Sequence, residues 1–455
     1  MYTKVRQNIN KKIKFFVPQN ALHDDSVKND FAVPDFAVRV STLFSNLPKM
    51  RFLLTHPNFP SQLRSVAQVL AANPNNEVVF LTNTDNGEIP GVKKLIYKPK
   101  REPSPQTHHY LRGYEQAILH GQAAFAACME AKNQGFVPDL IFGHAGWGPT
   151  LFLKDVFPRT PMGLNFEWFY HSHGTDCDFD PTDPITADDE ARIRTKNATL
   201  LADLAACDGG VCATRFQYEQ FPTHLRSNLV IGHEGIDTNF FKPNPGGKLV
   251  LANGKLDLSG VDEIVTYATR GMEPYRGFPQ FIEAAHLLQK ARPNAHVVVA
   301  GDNRVAYGKQ APGGKTWKDM YMEKFPLDPA RTHFVGSLPY GEYVKLLQCT
   351  KAHIYLTRPF VLSWSMLEAM ACGALVVASD TPPVQEVITD GINGLMVDFF
   401  KPDQLAATLD RVLAKPKDYD QMREKARETV VAKYDMTSCL KHKLAWLSRL
   451  MNARR

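Results

Sequence analysis

The sequence predicts an α/β protein built from two Rossmann-like, doubly wound domains facing each other across a cleft. Three observations predict it. From Met50 onward, short apolar runs alternate with longer helical stretches. The runs are apolar at odd and even positions alike, which marks parallel strands covered on both faces. They fall into two series separated by a stretch of turn formers, so two sheets are expected rather than one.

Residues 1–49 stand outside this pattern. Lys4 to Lys14 is basic and polar, and the short apolar islands that follow are broken by Pro18, Pro34 and Pro48. A poorly ordered extension is expected there; a basic arm that touches a membrane or a partner is the alternative. The first series of strands is expected at 51–55, 77–82, 139–143, 161–165, 209–213 and 229–232. The second is expected at 263–269, 296–301, 332–335, 352–357 and 375–379. Between them lie Pro243-Asn244-Pro245-Gly246-Gly247, Asn253-Gly254 and Ser259-Gly260, all turn formers. After Lys401 the pattern turns helical, over 403–414, 417–433 and 437–452. Domains are therefore expected over 50–245 and 246–430. A C-terminal helix over 431–455 is expected to pack back across them.

Composition narrows the class. With 44% hydrophobic and 22% charged residues the chain reads as globular. Lys and Arg exceed Asp and Glu by 53 to 47, a net charge of +6. That suits an anionic ligand or a weak contact with an anionic membrane surface, and is far from a nucleic-acid-binding composition. The seven cysteines include no Cys-x-x-Cys pair, so reduced thiols in a cytoplasm are expected rather than a disulfide framework or structural zinc. No apolar run reaches the roughly 18 residues of a membrane span. Phe15-Phe16-Val17 is too short for a signal-peptide core.

In open parallel sheets, ligands bind at the carboxyl ends of the strands. Two loops of the second domain carry suitable chemistry. Thr269-Arg270-Gly271-Met272-Glu273-Pro274-Tyr275-Arg276-Gly277 follows its first strand and precedes a helix from Phe278 to Lys290. Two guanidinium groups beside a helix N-terminus are what a diphosphate needs; two surface arginines in salt bridges are the structural alternative. Pro359-Phe360-Val361-Leu362-Ser363 leads into a helix that carries Glu368 and ends at Gly373. A carboxylate there can accept two ribose hydroxyls, or else compensate a helix dipole. On the loop after strand 139–143, His144 read by itself satisfies its loop.

Several segments then agree in order and spacing. Leu367-Glu368-Ala369-Met370-Ala371-Cys372-Gly373, Gln385-Glu386-Val387-Ile388 and Asp390-Gly391-Ile392-Asn393-Gly394-Leu395 resemble the C-terminal signature of family-four retaining glycosyltransferases of the GT-B fold. His56 to Arg64, Gly146-Trp147-Gly148 and Ile231 to Asp237 resemble a bacterial subgroup of that family. The resemblance runs from about Met50 to about Gln421. It implies an acceptor-side domain over 50–245 and a nucleotide-sugar domain over 246–430. It implies that Arg270 and Arg276 neutralise the donor diphosphate and that Glu368 binds the ribose. The amides of Val361, Leu362 and Ser363 would approach the phosphates and sugar, and Gly336 to Leu338 would lie by the nucleobase. His144 would face the transferred sugar, and Asn58 to Gln62 would cover the donor. His144, Arg270, Arg276 and Glu368 are thus the candidate catalytic residues. One position departs: many members carry a second Glu where this chain has Phe360, which leaves the donor sugar open.

Two further signals are discounted. Asp176-Cys177-Asp178-Phe179-Asp180, near His171 and His173, has the form of an Asp-x-Asp metal motif. The resemblance implies no metal or other cofactor, since GT-B enzymes generally use basic residues instead. A solvated or acceptor-facing acidic loop is expected. Gly308 to Thr316 resembles a P-loop, but it has one residue too many and does not follow a strand directly. A flexible loop at the rim of the cleft is expected.

The function expected is transfer of a sugar from a nucleoside diphosphate sugar to a glycan, lipid-linked or other hydroxyl acceptor, with retention, in glycan or polysaccharide biosynthesis. A cytoplasmic place, peripheral at the inner membrane face, fits that role, and no nucleic-acid partner is expected. A nucleotide-sugar epimerase or hydrolase, or a catalytically silent partner subunit that binds nucleotide or glycan, are the alternatives on the same fold.

Overall fold

The computed structural model describes residues 49–453, so the extension expected at 1–49 lies almost wholly outside the described residues. The first sheet has seven strands: β1 (Arg51–Thr55), β2 (Glu77–Thr82), β3 (Val92–Ile96), β4 (Leu140–His144), β5 (Met162–Asn165), β6 (Gly209–Cys212) and β7 (Leu229–Ile231). They run in the order β3-β2-β1-β4-β5-β6-β7, and the registered pairs are parallel. A small antiparallel hairpin, β8 (Val250–Leu251) and β9 (Leu256–Asp257), precedes the second sheet. That sheet joins β10 (Ile264–Gly271), β11 (His296–Asp302), β12 (Thr332–Gly336), β13 (Ala352–Tyr355), β14 (Val376–Ser379) and β15 (Leu395–Val397). Its order is β12-β11-β10-β13-β14-β15, again parallel throughout. The two doubly wound parallel sheets expected from the sequence are both present.

The physical cause is visible along β11. Val297 and Val299 belong to one buried cluster with Phe278, Phe281, Leu405 and Leu409 of the helices Phe278–Ala291 and Pro402–Ala414. Val298 and Ala300 belong to another cluster, with Leu251 and Leu346. A strand with a two-residue period must be apolar at every position to fill a core on each side. Strand β3 escaped the sequence reading because it lies at the sheet edge and carries Lys93 and Lys94, which defeat an apolar-run criterion.

Contacts gather the chain into two compact units. The first runs through Phe166 and adds Thr195–Val211 and the chain from Leu444 onward. The second holds Glu167–Arg194 and Cys212–Lys443. These units do not coincide with segments divided at 245 and 246. The second unit takes in residues 167–194 and 212–245. The helix Met436–Ala453 is shared, its last turns belonging to the first unit. There Trp446 and Leu450 lie against Gly163 and Gly209, where added β-carbons would stand 3.0 Å from their side chains.

Candidate functional site

At the carboxyl ends of β10 and β11 the second unit has a cavity of about 200 Å³, lined by Thr269, Arg270, Gly301, Ser337, Leu338, Tyr343, Ser363 and Ser365. An adjoining smaller cavity is lined by Arg270, Arg276, Tyr307, Tyr355 and Ser363 among others. The backbones around it approach closely. Gly301 has a φ of 130°, and a β-carbon there would lie 1.9 Å from the Thr269 carbonyl oxygen. Gly277, at φ 64°, starts the helix Phe278–Ala291 with only 2.5 Å between its would-be β-carbon and Leu356. Only glycine fits either position.

The two arginines share this space but differ in burial. Arg270 is exposed. Arg276 is only 6% exposed. Its Nη1 donates to Thr357 Oγ1 at 2.7 Å and Tyr355 Oη at 3.2 Å, and its Nη2 donates to the Val361 carbonyl at 3.0 Å. The Tyr307 ring covers its guanidinium at 5.2 Å. All three acceptors are neutral, and among the described residues no carboxylate lies within ion-pair distance of it. A buried cation with no anion is costly unless a ligand supplies one.

Glu368 is also buried, at 6% exposure, on the helix Trp364–Ala371. It does not line the cavity. Tyr343 does, and its hydroxyl faces the Glu368 carboxyl. Burial pushes Glu368 up to about 7, and the Tyr343 hydroxyl offsets part of that. The arginines thus meet in one space, while Glu368 is set behind Tyr343.

Ser363 lines both cavities, and its backbone N–H donates to Tyr355 Oη at 2.8 Å. Val361 contributes a carbonyl to Arg276, and Leu362 is buried in a core cluster. Gly336 closes β12 at φ 69°, ahead of the cavity-lining Ser337 and Leu338. In the first unit, His144 ends β4 at 2% exposure, with Nδ1 2.9 Å from the Ala145 carbonyl oxygen and its ring 5.1 Å from that of His56. The loop after it is held by Asp203, fully buried, which accepts from Gly146 N–H at 2.8 Å. The Asn58 N–H donates to His56 Nδ1 at 2.9 Å, turning the chain at the start of the 58–62 loop.

Two of the three aspartates of the acidic loop are held by neighbours, which corrects the solvated alternative expected for it. Asp176, 2% exposed, accepts from Tyr275 Oη at 2.6 Å. Asp180 pairs with the buried Arg358 at 2.9 Å, and Phe179 packs on Phe399 and Phe400. These contacts are why residues 167–194 belong to the second unit. No cluster of three or more metal-ligating side chains occurs among the described residues. The Gly308–Thr316 stretch is likewise no phosphate loop. Thr316 caps the helix Trp317–Lys324 in a capping box, and Lys315 pairs with Glu323.

Phe360 stands among Trp168, Tyr275 and Tyr307, with ring centroids 5.0, 5.6 and 5.6 Å away. Glu386 receives the N–H groups of Arg215 and Phe216, each at 2.8 Å, and so caps the helix Arg215–Gln220. Sequence reasoning missed Glu273, Tyr307 and Tyr343. Each is isolated in sequence from the loop that it supports, and no local pattern marks it.

Comparison with known proteins places the chain. Residues 74–241 match the family model described as glycosyl transferase family 4 group, and residues 255–429 match glycosyl transferases group 1. A D-inositol 3-phosphate glycosyltransferase of Mycolicibacterium gilvum (strain PYR-GCK) is 28% identical over 194 residues, covering 40% of this chain and 38% of that one. An alpha-D-kanosaminyltransferase of Streptomyces kanamyceticus is 25% identical over 182 residues, covering 39% and 44%. The match therefore spans about two fifths of the length of these curated relatives. Among solved structures, sucrose-phosphate synthase from Thermosynechococcus elongatus aligns with a TM-score of 0.65 at 17% identity, covering 89% of this chain and all of that one. Anabaena HepE, in complex with UDP and glucose, aligns with a TM-score of 0.62 at 15% identity, covering 88% of this chain and all of that one. These two likenesses are of fold. With two family models in tandem along most of its length, on paired parallel sheets, the chain belongs to the family-four glycosyltransferases and has the GT-B fold.

Proposed function

We propose that the protein transfers a sugar from a nucleoside diphosphate sugar to an acceptor hydroxyl, with retention of configuration, in glycan or polysaccharide biosynthesis. The observation that carries this reading is Arg276. It is a buried guanidinium whose protein partners are all neutral, and it shares with the exposed Arg270 a cavity at the strand ends. A diphosphate supplies the missing charge. As the anomeric bond breaks, negative charge builds on that diphosphate, and the two guanidinium groups stabilise it without a metal or other cofactor. The ribose and base then fall toward Ser337, Leu338 and Tyr343, with Glu368 behind. Support comes also from the solved fold relatives that carry UDP with glucose, or UDP-glucose.

A glycan or lipid-linked hydroxyl is the acceptor class in this reading, and the cytoplasm is its place, at or near the inner membrane face. In support, all seven cysteines are free thiols. No helix among the described residues is long and apolar enough to cross a membrane.

A melting-temperature screen against nucleoside diphosphates and their sugars tests the donor, since a ligand bound only by the folded state raises the transition. Donor turnover is then followed with and without an acceptor panel. Acceptor-dependent product is expected. Turnover equally fast without acceptor would indicate a hydrolase or epimerase, and tight binding with no turnover a silent subunit.

A further inference from the structure

The loop from Asp302 to Gly308, after β11, brings one ring over the site. Tyr307 is 39% exposed, lines the smaller cavity with Arg270 and Arg276, and lies 5.2 Å from the Arg276 guanidinium. Its backbone is not held by strand pairing. It is held by Glu273, a carboxylate with no solvent exposure. Glu273 Oε1 accepts from Ala306 N–H at 2.8 Å and Tyr307 N–H at 3.0 Å, and Oε2 accepts from Gly308 N–H at 2.6 Å. The two loops meet backbone to backbone. A β-carbon on Gly271 would lie 2.6 Å from the Arg304 carbonyl oxygen, and one on Gly308 would lie 3.0 Å from Glu273 Oε2.

Glu273 therefore acts at both ends of one arrangement. Its own backbone enters the short turn Pro274–Arg276, which delivers the arginine. Its side chain holds the loop that delivers the ring. Three of the five N–H donors of the arginine are bound in the guanidinium plane by Tyr355, Thr357 and Val361. The ring constrains the remaining freedom, motion out of that plane.

We propose that Tyr307 is a positioning residue for Arg276, set in place by the buried Glu273 carboxylate, and that the pair sharpens recognition of a diphosphate over a monophosphate. The proposal rests on the reading of this cavity as the diphosphate site. It goes beyond that reading in assigning the aim of Arg276, and with it phosphate selectivity, to Tyr307 and Glu273.

The test measures affinities of the full chain for UDP and GDP, each beside its monophosphate. Tyr307→Ala is expected to weaken the better diphosphate about tenfold, the scale of a desolvated cation–ring contact. Its monophosphate should change less than about twofold, because the proposal aims Arg276 at the outer phosphate. Tyr307→Phe keeps the ring and is expected to restore the diphosphate preference. Glu273→Gln is expected to show the same diphosphate-specific loss, and its melting curve reports whether it folds. Because Tyr307 is exposed, its variants keep the answer open to measurement if Glu273→Gln does not fold. Equal losses for di- and monophosphate, or no loss in Tyr307→Ala, would overturn the proposal. Failure of the wild-type chain to bind either diphosphate would instead overturn the reading of the cavity, and this proposal with it.

Discussion

The Nη2 of Arg276 donates to the carbonyl oxygen of Val361 at 3.0 Å, across 85 residues of chain. Through this bond the loop after β10 fixes the loop after β13. The same guanidinium that is left without an anion thus also shapes the wall on which Ser363 stands. Arg276→Ala should cut transfer at least ~100-fold, the scale of losing an electrostatic stabiliser. Arg276→Lys keeps the charge, but a single ammonium cannot copy a planar fork held at Thr357, Tyr355 and Val361. It should stay at least ~10-fold down. Initial rates at saturating donor decide; near-wild-type turnover in both variants defeats the assignment.

Glu368 makes stability depend on pH in a stated direction. Its folded pKa is raised from 4.5 to about 7 by burial, so the folded chain holds a proton that the unfolded chain releases. The stabilisation from that proton is complete below the unfolded value and is lost as pH rises through about 7. Glu368→Gln removes the ionisation. The variant's melting temperature, relative to wild type, should therefore climb between about pH 5 and pH 8. A constant difference across that window would show that Glu368 ionises as it does in water.

The same residue tests the nucleotide contact. Because Tyr343 lies on the cavity wall and faces Glu368, Glu368→Ala should lower transfer at least ~100-fold if the ribose draws on that carboxylate. Tyr343→Phe should fall between this variant and wild type. Comparing UDP with inorganic diphosphate as inhibitors checks the location: only the nucleotide should lose affinity in these two variants.

Glu386→Ala frees the N–H groups of Arg215 and Phe216 at the start of the helix Arg215–Gln220. The expected cost is about 0.5–2 kcal/mol, the range for a lost helix cap. Denaturant unfolding measures it, and Glu386→Gln should recover part of the loss by keeping an acceptor. Transfer by the folded fraction should be nearly unchanged, since Glu386 lines neither cavity at the strand ends. A large drop in kcat with intact stability would refute a capping role.

Asp203 gives a parallel test in the first unit. It is fully buried and accepts from Gly146 N–H on the loop that follows His144. Asp203→Ala should cost roughly 1–3 kcal/mol by leaving that donor without an acceptor. Asp203→Asn should cost much less. Equal unfolding midpoints for the two variants would remove Asp203 from the support of that loop.

Much of the architecture was legible in the chain, and the reason is periodicity. A strand buried on both faces has to be apolar at every position, so β1, β2, β11 and β14 declare themselves. The edge strand β3 needs no such run and was missed. The loops with Arg270, Arg276 and Ser363 line cavities at the strand ends, where parallel sheets meet ligands.

Burial and partnership were not legible. Two arginines six residues apart in sequence look alike, yet one is exposed and the other is buried. Phe360 announced only the absence of a carboxylate; its place among Trp168, Tyr275 and Tyr307 depends on three distant segments. Asp176 and Asp180 have the sequence form of a metal motif, yet Tyr275 and Arg358 hold them. The two sheets and the candidate loops at their strand ends can be read along the chain, because backbone pattern and side-chain period are local properties. Which charges are paired, which are buried and which face open space emerges with folding, because those relations join residues scores of positions apart.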